Sequence, residues 1–155
     1  MAKNLIFTSK EVAFLRELER HKVEFMLVGA AAAALQGAPV VTQDVDLWFE
    51  DVKDPGIQSA LRKSGGIMVP SFGHNPPTFA GDAVKLFDIV LTMHGLMSFA
   101  EEKKNSIEVS LGRVKVRVLD LARIIKSKEA VKRPKDLLVL PVLRDTLKTL
   151  KRKER

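Results

Sequence analysis

Cysteine is absent from this chain, which removes disulfides, thiolate metal sites and cysteine nucleophiles together. Histidine is scarce, at three residues, and no Ser/His/Asp set stands in a usable order, so neither a zinc hydrolase nor a triad hydrolase is expected. Long apolar runs are missing too. The longest, Phe25 to Leu35, falls far short of the ~20 residues a membrane helix requires. The opening MAKNLIFTSKEV carries Lys3, Lys10 and Glu11 rather than a signal-peptide pattern. These absences predict a cytoplasmic protein with no membrane partner. No internal repeat or low-complexity tract breaks the sequence.

What is present suits one folded unit, expected over residues 1–155. The 155 residues are 46% hydrophobic and 29% charged, and a chain of this size buries about 68–70% of its unfolded surface without staples. The net charge of +7 is unevenly placed. Residues 1–102 hold 9 Lys and Arg against 13 Asp and Glu, whereas residues 103–155 hold 17 against 6. A basic, helical C-terminal element from about residue 119 would attract nucleotides, RNA or other polyanions. The same charges also suit a solvated helix face with a basic tail, LKTLKRKER.

Thr8 to Glu11 has the form of a capping box, followed by Val12, Phe14, Leu15 and Leu18 at helical spacing, so a first helix runs to about His21. VEFMLV reads as a buried strand stopping at Gly29, and the alanine-rich segment after it as a helix ending at Gly37. Val40 to Glu50 returns to strand character, with Val45, Leu47 and Phe49 on one face and Asp44, Asp46, Trp48 and Glu50 on the other. Asp54-Pro55 opens a helix that Gly65-Gly66 ends. IMV is a short strand, Pro70 to Asp82 a long mobile loop, and Val84 to Thr92 a strand. A helix over Ser98 to Lys104, strands over Ile107 to Leu111 and Val114 to Val118, a helix from Asp120 and a final helix from Pro134 through Leu150 complete the pattern. Irregular alternation with at least one hairpin predicts an α/β (α+β) fold, a mixed sheet with helices packed on it.

Asp44 and Asp46 lie two apart in a strand, so both carboxylates project from one face, about 7 Å apart. Like charges so placed call for a counter-charge, and a hard divalent cation, Mg²⁺ or Mn²⁺, takes carboxylate oxygens together with water and phosphate. Asp88, inside the apolar strand KLFDIVL, would be costly to ionise unless paired or metal-bound, and is the third ligand expected. Gly29 stands where a strand becomes a helix, a place where backbone N–H groups and the helix dipole receive a phosphate, or simply where the chain turns tightly. Together these are the parts of metal-dependent phosphoryl or nucleotidyl transfer. Trp48 shares the carboxylate face and can stack on a base, although a lone Trp there more often fills the core. His74 reads as a solvated loop residue and His94, before Gly95, as turn structure.

VGAAAAALQGAPVVTQDVDLWFE resembles the signature of the nucleotidyltransferase superfamily that includes DNA polymerase beta, a G-[GS] helix start followed by D-x-[DE] and a later Asp. Gly37, Pro39 and Thr42 fall where small bacterial and archaeal nucleotidyltransferases related to the AbiEii toxin carry HGxPRxTxDxD, and KSKEAVKRPKDL looks like their KxxAxxRxKDL element. The resemblance implies two divalent metals at Asp44, Asp46 and Asp88 and a nucleoside triphosphate donor whose NMP passes to a hydroxyl of RNA, protein or a small molecule. It further implies that Gly29 and its neighbour Ala30 form the triphosphate-binding turn, that Thr42 supports the carboxylate strand, and that Lys128, Lys135 and Asp136 lie near the phosphates. The two lysines would offset charge on the leaving pyrophosphate, or are plain surface residues of basic helices.

Two positions depart from the pattern. Ala30 replaces the second residue of the glycine pair, and Val40 replaces the arginine before the threonine. They motivate an alternative, a catalytically inactive module of the same fold that binds RNA, a nucleotide or a partner protein. An antitoxin partner in a toxin–antitoxin pair is a further expectation the resemblance allows.

Overall fold

The structure, a computed structural model, describes residues 6–154. Helix α1 (Ser9–Arg20) is capped as its sequence predicts: the Glu11 amide donates to the Thr8 hydroxyl at 3.3 Å and the Thr8 amide to the Glu11 carboxylate at 2.8 Å. Its apolar stripe, Phe14, Leu15 and Leu18, is fully buried. There follow β1 (Phe25–Val28), α2 (Gly29–Leu35), β2 (Val45–Phe49), α3 (Pro55–Ser64), β3 (Ile67–Val69), β4 (Thr78–Ala80) and β5 (Phe87–Val90). The remaining elements are α4 (Phe99–Lys103), β6 (Ser106–Leu111), β7 (Val114–Leu119), α5 (Leu121–Val131) and α6 (Pro134–Lys153).

Five strands form a mixed sheet in the order β5-β2-β1-β7-β6. β2 runs parallel to β5 and antiparallel to β1, β1 parallel to β7, and β7 antiparallel to β6. All four residues of β1 are buried, as suits a central strand covered on both faces, and this is why FMLV is continuously apolar rather than alternating. β2 is buried at Val45, Leu47, Trp48 and Phe49 and half-buried at Asp46. From one of its faces Phe49 meets Phe79, which also touches Phe14 of α1, and the Phe14 ring lies 5.5 Å from Phe87 of β5. The opposite face carries Asp46 and Trp48.

The core placement expected of Trp48 holds, and several other expectations change in detail. Trp48 is only 2% exposed, packs edge-on against Phe99 at 5.5 Å and donates Nε1–H to the Leu91 carbonyl at 3.1 Å. It fills the core, so the carboxylate face of β2 is acidic only at its N-terminal end. β2 begins at Val45, leaving Asp44 just before the strand. The segment expected as one long loop, Pro70 to Asp82, contains β4, which pairs antiparallel with β3 in a two-stranded ribbon. β5 spans only Phe87–Val90, and Asp88 is exposed because β5 is an edge strand with one face open. α6 continues past Leu150 to Lys153, through Pro141 in its interior. Among the described residues no helix is long and apolar enough to cross a membrane.

Candidate active site

The strand-to-helix turn at Gly29 has a backbone that only glycine adopts without strain. Its φ is +72°, and a Cβ there would sit 2.5 Å from Asp46 Oδ2. Antiparallel register pairs Val28 with Asp46, which draws the turn over that carboxylate. α2 starts here with no side-chain cap on its first amides. Parallel register sets Asp46 beside Asp88 on the neighbouring strand. Thr42 donates its hydroxyl to the Asp44 carbonyl at 2.5 Å, fixing the approach to β2. Thus three elements, the α2 turn and the starts of β2 and β5, bring Gly29, Asp44, Asp46 and Asp88 together.

The cations come from the other end of the chain. Asp136, with no solvent exposure, lies in the first turn of α6 and accepts from Arg133 Nε at 2.8 Å, from the Arg133 amide at 3.1 Å and from Lys128 Nζ at 3.3 Å. It therefore joins the site by holding Arg133 and Lys128 in place. α5 is tied to α2 in turn. Gln36, just after α2, donates to the Ala32 and Leu119 carbonyls at 3.0 and 2.8 Å and accepts the Leu121 amide at 2.9 Å.

Two cavities meet at this junction. One, about 370 Å³, is lined by Asp44, Asp46 and Asp88 together with Ala30, Val40 and Thr42. The other, about 470 Å³, is lined by Gly29 and Asp46 and extends past Val90 and Thr92 to His94. Lys128, Arg133 and Lys135 line both. Volumes of this order fit a small ligand or cofactor. A larger cavity, about 630 Å³, lies between α1 and the end of α3, with Lys10, Arg16, Arg20 and Lys63 on its walls, and shares none of these residues.

Burial pushes the Asp46 carboxyl above the usual range, the Asp88 carboxylate adds to this, and Lys128 pulls the other way. Asp88 is raised as well, by partial desolvation and then by Asp44; the residue as a whole is exposed, so water moderates both effects. Asp136 behaves oppositely. Burial alone would raise it, but hydrogen bonds from the Arg133 side chain and amide, with Lys128, hold it below the usual range. The Arg133 guanidinium is raised by its bond to Asp136 and, further off, by Asp46.

The structure brings the sequence-predicted residues Gly29, Ala30, Thr42, Asp44, Asp46, Asp88, Lys128 and Lys135 onto these two cavities, with Asp136 behind them. Among the described residues no three His, Asp or Glu side chains converge on a single metal position. The carboxylates face a shared space instead. Their hard oxygen donors suit Mg²⁺ or Mn²⁺, which accept two protein carboxylates and complete their shell with water and phosphate oxygens. Arg133 joins the two lysines as a third cation of the site, and its sequence signal is the arginine inside the KSKEAVKRPKDL element.

No protein-family model matches the sequence, and no curated protein does either. Solved structures do match. The crystal structure of ANT(2")-Ia in complex with adenylyl-2"-tobramycin superimposes with a TM-score of 0.61 at 17% identity, over 90% of this chain and 88% of that one. An antigenic nucleotidyltransferase-like protein from Paracoccidioides brasiliensis gives a TM-score of 0.50 at 17% identity, over 95% of this chain and 90% of that one. These likenesses establish a nucleotidyltransferase-like fold: a mixed α/β structure with a helical C-terminus.

Proposed function

We propose that the protein is a metal-dependent nucleotidyltransferase that moves an NMP from an NTP to an acceptor hydroxyl of RNA, protein or a small molecule. One observation carries this reading: Asp46, crossed closely by the Gly29 turn, faces Lys128, Arg133 and Lys135 where two ligand-sized cavities meet. Cations on one side and carboxylates on the other are what a triphosphate with its counter-ion requires. The nucleotidyltransferase-like fold supports it, as does a structural neighbour solved with adenylyl-2"-tobramycin.

In this reading the residues divide the work. Lys128, Arg133 and Lys135 bind the triphosphate and offset the charge that develops on departing pyrophosphate, and Asp136 keeps two of them aimed. Asp44, Asp46 and Asp88 are the side chains that would hold Mg²⁺ or Mn²⁺, which when bound lowers the pKa of the acceptor hydroxyl and offsets charge on the phosphates. Asp88, exposed at the cavity wall, takes the acceptor proton. Thr42 holds the Asp44 backbone in register. The combination HGxPRxTxDxD-like and KxxAxxRxKDL-like segments further supports an AbiEii-related enzyme, for which co-purification of a stable partner protein is the check.

The decisive experiment is calorimetric titration of each NTP with Mg²⁺ or Mn²⁺ into the wild-type protein and into the Asp44→Ala/Asp46→Ala double variant. Metal-dependent binding lost in the double variant supports the reading. Absence of NTP binding by a folded wild-type protein refutes it. A second reading follows from Ala30 and Val40, which line the carboxylate cavity: nucleotide or RNA is held without transfer. NTP binding with no pyrophosphate release across acceptor classes would favour it.

A further inference from the structure

The segment between β5 and α4 belongs to no regular element, yet it is fixed at several points. Trp48 Nε1–H holds the Leu91 carbonyl at 3.1 Å. The Met97 amide donates to Glu102 Oε2 at 2.9 Å, and Glu102, with no solvent exposure, is itself clamped by Arg123 Nε at 2.8 Å and Nη2 at 2.6 Å. Between these anchors the Leu96 amide donates to the Met93 carbonyl at 3.2 Å. Gly95, at φ +76°, lies so close to α5 that a Cβ would come within 2.5 Å of Ala130 Cβ. None of these bonds serves the carboxylates or the cations. Their joint effect is to hold Thr92, Met93 and His94 as one wall of the 470 Å³ cavity.

That wall has the composition of a site for a flat, partly polar ring. Val90, Met93 and Ile124 give apolar surface. The His94 imidazole and Thr92 hydroxyl make no hydrogen bond to any described residue and so are available to a ligand. Position matters too. Asp46 and the Gly29 turn line this same cavity with Thr92, Met93 and His94. A nucleoside held against that wall therefore lies beside the Asp46 carboxylate.

We infer that His94, presented by the pinned turn at Gly95, is the residue that recognises the base of the bound nucleotide. The inference rests on the nucleotidyl-transfer reading and adds its specificity determinant. It assigns the cavity of Gly29 and His94 to the donor nucleoside and leaves the cavity of Asp44 and Asp88 to the acceptor.

The test uses the full chain, Mg²⁺, the four NTPs and inorganic tripolyphosphate, which has the phosphates without the base. His94→Ala should weaken binding of the preferred NTP about tenfold, the size of one lost hydrogen bond to a base, and flatten the discrimination among the four. Tripolyphosphate affinity should stay unchanged, and His94→Gln, which keeps a polar tip, should regain part of the preference. His94 is exposed, so thermal melting should show both variants folded. Unchanged affinities for all four NTPs overturn the inference while leaving the site reading intact. An equal loss for tripolyphosphate overturns it as well, because the effect is then on the phosphates. A wild-type protein that binds no NTP refutes the site reading first and this inference with it.

Discussion

The Cβ that Gly29 lacks would fall 2.5 Å from Asp46 Oδ2. Turn and carboxylate are therefore one unit, since nothing larger than hydrogen separates the α2 entrance from the acid beneath it. Gly29→Ala adds both a clash with a carboxylate and a left-handed φ of +72°. The backbone effect alone costs about 1–2 kcal/mol. Urea denaturation should show a loss of at least that size, and calorimetry should show NTP affinity falling more than tenfold as Asp46 is pushed aside. Retained affinity in a folded variant would separate the turn from the site.

Asp136 and Arg133 make the second linked pair. Asp136→Asn keeps the volume but removes the charge that faces Arg133 and Lys128. Breaking a fully buried pair costs about 3–5 kcal/mol. Because the Arg133 side chain is 53% exposed and rehydrates on release, about 2 kcal/mol is expected here. NTP binding should weaken by an order of magnitude although Asp136 touches no ligand, since both cations lose their anchor. A variant with wild-type affinity would show that Lys128 and Arg133 aim themselves.

Much of this is legible in the sequence. The β1–Gly29–α2 unit was readable because a central strand is apolar on both faces and its glycine sits at the break between two periodicities. The Asp44/Asp46 pair was readable from strand alternation. β4 was missed because its three residues follow Pro76 and Pro77, and loop chemistry outweighs so short a run. Trp48 could not be placed by alternation alone, because α4 covers that part of the strand's second face through Phe99. The His94 wall was beyond reach for a different reason: it is built by Trp48, Glu102 and Ala130, residues far apart in sequence whose approach only the fold decides.

Acid should unfold the protein through Asp136 and Glu102. Burial would raise the Asp136 carboxyl, but Arg133 and Lys128 outweigh it, and the Arg123 bond leads the lowering of Glu102. Both groups bind protons less readily folded than unfolded. Their stabilisation is complete above the ordinary carboxylate range, near pH 4, and is lost as pH falls through the depressed folded values. The midpoint of an acid titration followed by circular dichroism should move to higher pH in Glu102→Gln, whose neutral side chain lacks the Arg123 pairing that still stabilises the wild type when acid unfolding begins. An unmoved midpoint would mean that Glu102 is equally satisfied in the unfolded chain.

Asp46 should show the opposite sign. Its carboxyl is raised, by burial first and by Asp88 next, so the folded state binds its proton more tightly than the unfolded state. Stability from this group is present below the unfolded pKa and declines as pH rises through the folded one. At neutral pH the ionised carboxylate therefore strains the metal-free fold. Asp46→Asn, with chelator present, should raise Tm relative to wild type at pH 7 and narrow the difference at pH 4, while metal-dependent NTP binding disappears. Wild-type protein given Mg²⁺ and NTP should recover more stability than the variant, because bound ligand adds to the folded state in proportion to its occupancy. A lower Tm for Asp46→Asn in chelator would show that Lys128 and Lys135 already compensate the acid, and that the carboxylate is a structural partner before it is a ligand.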